Sequence, residues 1–105
     1  MRHKVAFYER ESFGEVISDI DTIYQTRIQK ERFAEETEYL KFKGIYILNA
    51  ANTSGMKAGA VILHPLPRVD EISTELDYLP KAAYFRQVKY GLLVRMALLM
   101  QILDK

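Results

Sequence analysis

Apolar and polar positions along this chain alternate between short apolar runs and longer amphipathic stretches. Three runs, Lys4 to Tyr8, Asp21 to Thr26 and Ala60 to His64, are β-branched or apolar and predict strands. The last run, "AVILH", is almost continuously apolar, which is typical of a strand covered on both faces. Because helical stretches separate the strands, the pattern predicts an α/β fold with right-handed crossovers and a parallel sheet.

Capping residues and charge asymmetry predict the helices between these strands. Ser12 stands three residues before Glu15, a capping-box spacing that predicts a short helix there. The segment 33–43 has glutamates early and lysines late, as the helix dipole favours, and Gly44 is suited to end that helix. We expect a turn and a further short helix within residues 49–59.

The last part of the chain predicts a long apolar C-terminal helix over Tyr84 to Leu103. Apolar residues cover most of its circumference, which is typical of a packing element. The preceding residues form too thin a layer to cover such a helix. We therefore divide the chain into residues 1–83 and 84–105, and we expect an exposed apolar surface on the helix or its burial by another chain.

Two loops are expected at the edge of the sheet where ligands bind. In parallel sheets this edge lies at the carboxyl ends of the strands, which "TRIQKER" (26–32) and "HPLPR" (64–68) both follow. The planar fork of Arg27 matches a carboxylate, and Gln29 adds a neutral donor and acceptor. A small dianionic substrate suits this loop; alternatively, it is a solvated loop, as most charge runs are.

The "HPLP" segment displays backbone acceptors rigidly. Proline has no N–H and a fixed φ, while the neighbouring carbonyl groups stay available. Such a loop suits a ligand amide or amine; the alternative is a stiff turn without a ligand. His64 is a candidate acid or base, although a single histidine at a strand end is more often structural.

Composition excludes several classes of function. The net charge is +1, with 28% charged residues, so nucleic acid and anionic membranes are not expected partners. There is no cysteine, no phosphate-binding glycine loop, no nucleophile elbow and no metal-ligand spacing, so we predict no metal and no cofactor. Without a secretory leader or an apolar stretch of bilayer length, we expect a cytoplasmic protein.

Three segments carry a resemblance to a known family. "TRIQKERF", "HPLPRVDEI" and "AAYFRQVKYGLLVRMALLMQIL" resemble, in sequence, order and separation, the carboxyl-terminal part of the aspartate carbamoyltransferase catalytic chain. The resemblance extends from about Val5 to Leu103. It implies a partial parallel-sheet, Rossmann-like aspartate-binding domain over residues 1–83, with the helix 84–105 packed on an amino-terminal domain.

The resemblance implies a reaction and some of its residues. The family transfers a carbamoyl group from carbamoyl phosphate to the amine of L-aspartate in pyrimidine biosynthesis. By resemblance, Arg27 binds an aspartate carboxylate with help from Gln29, and Arg32 is the clamp between domains. The related ornithine enzymes usually have a cysteine in the "HPLP" loop, which this chain lacks.

The resemblance also assigns the proline loop. It implies that the carbonyls of Pro65 and Leu66 hold the carbamoyl amine, with Pro67 fixing their direction. It further implies a cis peptide bond between Leu66 and Pro67, a form that X–Pro bonds adopt at a cost of only about 0.5–1 kcal/mol.

Other family motifs have no counterpart in this sequence. The Ser-Thr-Arg-Thr loop, the "HPTQ"-like segment and a further aspartate-binding arginine are absent, and Gln25 stands where the family usually has an apolar residue. We therefore expect half a site, inactive alone, completed by an amino-terminal carbamoyltransferase portion or by homo-oligomerisation. The alternatives are a non-enzymatic interaction module and a dicarboxylate-binding fragment.

Overall fold

The computed structural model describes residues 4–104, which form a mixed α/β fold around a short parallel sheet. Single turns of 3-10 helix occur at Phe13–Glu15 and Lys30–Arg32, and a longer one at Thr74–Tyr78. The strands and α-helices, in chain order, are β1 (Thr22–Tyr24), α1 (Glu36–Phe42), α2 (Ala50–Thr53), β2 (Val61–Leu63) and α3 (Tyr84–Leu103).

The sheet is parallel, as predicted, and it places the ends of both strands at one edge. Ile23 of β1 lies opposite Ile62 of β2 in the ladder. On its other side Ile62 bridges to Ala82, and its carbonyl accepts a hydrogen bond from the Ala83 amide at 3.0 Å. The chain therefore returns to β2 immediately before α3 begins.

A small core packs around this sheet. Ile62, Leu48, Leu76 and Tyr84 are fully buried, since none exposes any side-chain surface. Only the middle residue of β2 is buried, whereas its neighbours are partly exposed, so the prediction of a strand covered on both faces is wrong. Gln25 is buried because its side-chain amide donates to the Tyr46 carbonyl at 2.9 Å.

The helices are shorter than their sequence patterns predicted. Ser12 accepts from the Gly14 amide rather than from Glu15, and only one 3-10 turn follows. The helix predicted over residues 33–43 is α1, which begins at Glu36. In α2 the side chains of Asn49 and Asn52 bond each other's backbone amides, and the helix ends at Thr53.

The predicted strand from Lys4 to Tyr8 does not form. These residues belong to no strand, and Val5, Phe7 and Tyr8 are more than three-quarters exposed. A strand needs a neighbour to accept and donate its backbone hydrogen bonds. Among residues 4–104 no segment pairs with this run, although its residue types favour a strand.

Helix α3 has the predicted bounds, but the description of a long apolar helix requires correction. Arg86, Lys89, Arg95 and Gln101 interrupt its apolar surface. Within the described range 4–104, no helix has the length and hydropathy that crossing a membrane requires.

Most of α3 lacks cover from the rest of the chain. Tyr84, at its first turn, is its only buried residue, and the apolar side chains from Leu92 to Leu103 are mostly half exposed or more. The Cα radius of gyration is 16.9 Å, against roughly 13 Å for a compact domain of this length. The predicted exposed apolar surface is therefore present.

Candidate functional site

The two loops predicted to face one crevice do so. A cavity of about 670 Å³ lies between the segment that follows β1 and the segment that follows β2. Its walls contain every site residue that the sequence predicted, together with Thr26, Ile28, Phe33 and His64, which the prediction had not assigned to binding. The predicted residues in the walls are Arg27, Gln29, Arg32, Pro65, Leu66 and Pro67.

The wall that follows β1 is positively charged. Nη2 of Arg27 donates to Glu31 Oε1 at 3.0 Å, four residues along the loop. The pKa of Glu31 is lowered by its own backbone amide and by the Arg27 guanidinium. This ion pair holds Arg27 from one side, and the residue remains part of the cavity wall.

Arg32 lies at the end of the same wall. It closes a 3-10 turn in which its amide donates to the Gln29 carbonyl at 3.1 Å. No carboxylate in the described part of the chain lies within ion-pair distance of its guanidinium. Arg32 is therefore a cation of the cavity wall that forms no direct ion pair with a carboxylate of residues 4–104.

The wall that follows β2 supplies hydrogen-bond acceptors. The Leu66–Pro67 peptide bond is cis, which confirms the prediction, and Leu66 has a positive φ of 51°. Among residues 4–104, no N–H or O–H group donates to the carbonyl oxygen of Pro65 or Leu66. Two carbonyl groups with unused lone pairs thus belong to the residues that line the cavity.

A buried pair supports this loop from behind. His64 Nε2 lies 2.6 Å from Glu71 Oε1, and both side chains are almost fully buried. The sequence pattern leaves the role of His64 open between an acid or base and a structural residue, and it does not identify Glu71. Glu71 lies seven residues after His64 in the same short motif, and this proximity could have indicated the pair. The periodicity of apolar positions does not reveal it.

A second cluster anchors the far end of the loop. Arg68 donates to both carboxylate oxygens of Asp77, at 2.6 Å for the Nη2–Oδ2 pair, and the Tyr84 hydroxyl also donates to Asp77. The pKa of Asp77 is lowered, chiefly by the hydrogen bond from Arg68. Burial and the adjacent carboxylate raise the pKa of Tyr84 to about 12. The loop is therefore tied to the start of α3.

We expect Asp77→Asn to lower the free energy of unfolding by about 1–3 kcal/mol at pH 7, because an amide nitrogen would face the guanidinium donors. A carboxylate whose pKa is lowered by folding stabilises the protein above its ordinary pKa, and this contribution is lost as the pH falls through the folded-state value. Urea unfolding of the wild type and the variant should therefore converge as the pH falls below 3.8.

Asp19→Asn is the matched control, because Asp19 is exposed and, within residues 4–104, its side chain accepts a hydrogen bond only from the neighbouring Ser18 hydroxyl. It should change the unfolding free energy by less than about 0.5 kcal/mol. A difference between wild type and Asp77→Asn that persisted unchanged at pH 3 would contradict the assignment of an ionised Asp77.

The cavity walls present two kinds of hydrogen-bonding group. Within residues 4–104, no three His, Asp or Glu side chains are grouped closely enough to hold a metal. The walls instead offer guanidinium donors on one side and backbone acceptors on the other. This arrangement suits a molecule that carries both a carboxylate and an N–H donor.

Comparison with known proteins assigns the chain to a family. Residues 2–102 match the family model for the aspartate/ornithine carbamoyltransferase Asp/Orn binding domain. The chain is 51% identical, over its whole length, to the aspartate carbamoyltransferase catalytic subunit of Cenarchaeum symbiosum, of which it covers 34%.

Solved structures agree with this assignment. The catalytic subunit of Methanocaldococcus jannaschii aspartate transcarbamoylase matches 95% of the chain with a TM-score of 0.83 and 48% identity, over 33% of that subunit. The Trypanosoma cruzi enzyme in complex with carbamoyl phosphate and aspartate matches 82% of the chain with a TM-score of 0.74 and 42% identity, over 28% of its own chain. The present chain thus spans about a third of the length of these relatives, and it belongs to the aspartate/ornithine carbamoyltransferase family, within the Asp/Orn binding domain.

Proposed function

We propose that this chain forms the aspartate-binding part of an aspartate carbamoyltransferase. The observation that carries the proposal is the shared cavity, in which Arg27 and Gln29 lie across from the acceptor loop Pro65 to Pro67. The high identity to aspartate enzymes and the absence of cysteine support aspartate rather than ornithine as the amine substrate.

Arg27 and Gln29 would bind the carboxylates of L-aspartate. Glu31 occupies Nη2 of Arg27, so an incoming carboxylate would use the remaining N–H groups of the guanidinium fork. Charge-assisted hydrogen bonds of this kind orient a ligand as well as hold it. The α-amine of aspartate would then point towards the proline loop.

The carbonyl groups of Pro65 and Leu66 would accept hydrogen bonds from the carbamoyl NH₂ group. In the proposed reaction the neutral aspartate amine attacks the carbonyl carbon of carbamoyl phosphate and forms the new C–N bond. The tetrahedral intermediate then breaks its C–O bond to phosphate, and the departing phosphate carries away the proton that the amine nitrogen loses, which leaves carbamoyl aspartate. The residues of this chain contribute by placing the amine and the carbamoyl group in contact, and no side chain here is proposed to exchange a proton. Positioning of two reactants can supply a large part of a rate enhancement.

The phosphate would be bound outside residues 1–105. The relatives are about three times longer, and none of the motifs that the family uses for phosphate occurs in this sequence. We propose that residues 1–83 form the aspartate-binding unit and that the helix 84–105 packs on an amino-terminal portion. Arg32, which forms no direct ion pair in the described range, would then pair with that portion when the site closes.

Reconstitution tests this function. The chain is co-expressed with the amino-terminal two-thirds of the Methanocaldococcus jannaschii catalytic subunit, and carbamoyl aspartate is measured after addition of carbamoyl phosphate and L-aspartate. We expect product only when both polypeptides are present. Assembly without product would favour a non-enzymatic interaction module, and aspartate binding by the single chain without product on assembly would favour a dicarboxylate-binding fragment.

A further inference from the structure

His64 lies directly behind the proline loop and has both ring nitrogens engaged. Its side chain is 1% exposed. Nδ1 accepts a hydrogen bond from the Leu66 backbone amide at 2.8 Å, and Nε2 lies 2.6 Å from Glu71 Oε1. A nitrogen that accepts a hydrogen bond carries no hydrogen, so the hydrogen of the imidazole is on Nε2 and is donated to Glu71. The surroundings thus specify one neutral tautomer of His64.

Glu71 is the group that sets this tautomer. Its second carboxylate oxygen, Oε2, accepts hydrogen bonds from the backbone amides of Val69 and Asp70, each at 3.1 Å. Burial acts to raise the pKa of Glu71, but backbone amides and His64 outweigh it, so the pKa lies below its usual value. Both carboxylate oxygens therefore act as acceptors, and Nε2 of His64 must be a donor.

The amide that reaches His64 is the only backbone donor of the segment Pro65 to Pro67, because proline has no N–H group. Leu66 also has a φ of 51°, a left-handed conformation that residues with a side chain rarely adopt. The hydrogen bond to Nδ1 of His64 holds Leu66 in that conformation, and the Leu66 N–H group is then not available to donate to a ligand. The segment is left with acceptors only.

We propose that Glu71 and His64 form a positioning and specificity-determining pair, in which Glu71 acts through His64. The pair makes the proline loop a surface that offers only hydrogen-bond acceptors. Such a surface accepts a carbamoyl group, whose NH₂ donates, and rejects an isosteric acetyl group, whose methyl cannot. The proposal rests on the proposed function for the identity of the ligand. Neither residue touches the ligand in this proposal; both act through Leu66.

Substitution of Glu71 separates this role from simple packing. In Glu71→Gln the amide has one acceptor and one donor end, whereas the carboxylate has two acceptors. If the acceptor end faces His64, the NH₂ group opposes the amides of Val69 and Asp70. If it faces those amides, the NH₂ group opposes Nε2 and favours the other tautomer, whose Nδ1–H would oppose the Leu66 amide. Either arrangement disturbs the loop with little change in side-chain volume.

Nitrogen NMR of the chain with ¹⁵N-labelled histidine reads the tautomer directly. The sequence contains two histidines, and a His3→Gln variant assigns the signals of His64. We expect hydrogen on Nε2 and none on Nδ1 of His64, and a through-hydrogen-bond coupling between Nδ1 and the Leu66 amide. Asp70→Asn removes the same charge one residue away and should leave both signals unchanged, whereas Glu71→Gln should mix the tautomers or abolish the coupling.

Ligand preference provides the second readout. Binding of N-carbamoyl-L-aspartate and N-acetyl-L-aspartate is measured by titration of the labelled chain in complex with the amino-terminal two-thirds of the Methanocaldococcus jannaschii catalytic subunit. Glu71→Gln should reduce the carbamoyl preference about tenfold, the equivalent of one hydrogen bond, while the affinity for L-aspartate, which Arg27 and Gln29 hold, changes less than about twofold. His64→Asn keeps an acceptor near the Leu66 amide and should retain more of the preference than His64→Ala.

Each result has a defined meaning. Hydrogen on Nδ1 of His64 in the wild type, or equal preferences in the His64→Asn and His64→Ala variants, would overturn this inference while leaving the proposed function intact. Failure of the wild-type chain, assembled with the amino-terminal two-thirds of the relative, to bind either N-substituted aspartate or L-aspartate would refute the proposed function, and the specificity role with it. The two failures are therefore distinguishable.

Discussion

Arg27→Lys should weaken the use of aspartate by about ten- to a hundredfold in the reconstituted enzyme. Lysine keeps the charge but replaces a planar fork by a single ammonium group, so it cannot form two parallel hydrogen bonds to a carboxylate. Hydrogen bonds to charged groups contribute about 1.5–3 kcal/mol, which corresponds to this range of affinity. Arg27 also donates to Glu31, and lysine would lose the geometry of that contact as well.

Steady-state kinetics with each substrate varied in turn provide the measurement. We expect the KM for aspartate to rise while that for carbamoyl phosphate changes little, because the phosphate would be bound by the other polypeptide. Arg10→Lys is the matched control, since Arg10 forms an exposed ion pair with Glu15 at 3.8 Å and lies outside the cavity walls. An aspartate dependence equal to that of the wild type would refute the role of Arg27.

The isolated chain should self-associate through α3. The apolar side chains from Leu92 to Leu103 are mostly half exposed or more and lie on several faces of the helix. Full burial of a leucine contributes about 1.5–3 kcal/mol, so covering the exposed half of each one contributes about 1 kcal/mol. Several such contributions together favour association, and apolar patches larger than a few hundred Å² are rare on monomers.

Sedimentation velocity and binding of a hydrophobic dye measure this association. The double variant Leu92→Lys/Leu99→Lys, at positions 55% and 56% exposed, should shift the chain towards a monomer and reduce dye binding. Tyr78→Lys is the control, because Tyr78 is 91% exposed but lies outside α3. The amino-terminal two-thirds of a relative should suppress dye binding by the wild type. A monodisperse, dye-negative wild-type chain would contradict the prediction.

Local rules predicted the elements whose stability is local. The bounds of α3 agree with the pattern because twenty residues form their own backbone hydrogen bonds. Gly44 follows α1 with a φ of 83°, as expected of a residue that ends a helix. The parallel pairing of β1 and β2 also followed from the alternation of strands and helices. The prediction of a strand from Lys4 to Tyr8 is wrong because a strand depends on a pairing partner, which its own residues do not specify.

For the candidate site, residue types specify some features, and the folded arrangement of the chain specifies the others. Residue chemistry and the rule for strand ends were enough to place Arg27, Gln29 and the segment Pro65 to Pro67 at one cavity. Neither the tautomer of His64 nor the role of Glu71 followed from residue types, because each depends on which atoms meet after the loop has folded. Likewise, the sequence specifies the apolar side chains between Leu92 and Leu103, whereas their exposure depends on how little of the chain packs against them. Hydrogen-bond direction and burial are properties of neighbours in space, and sequence patterns specify neighbours only along the chain.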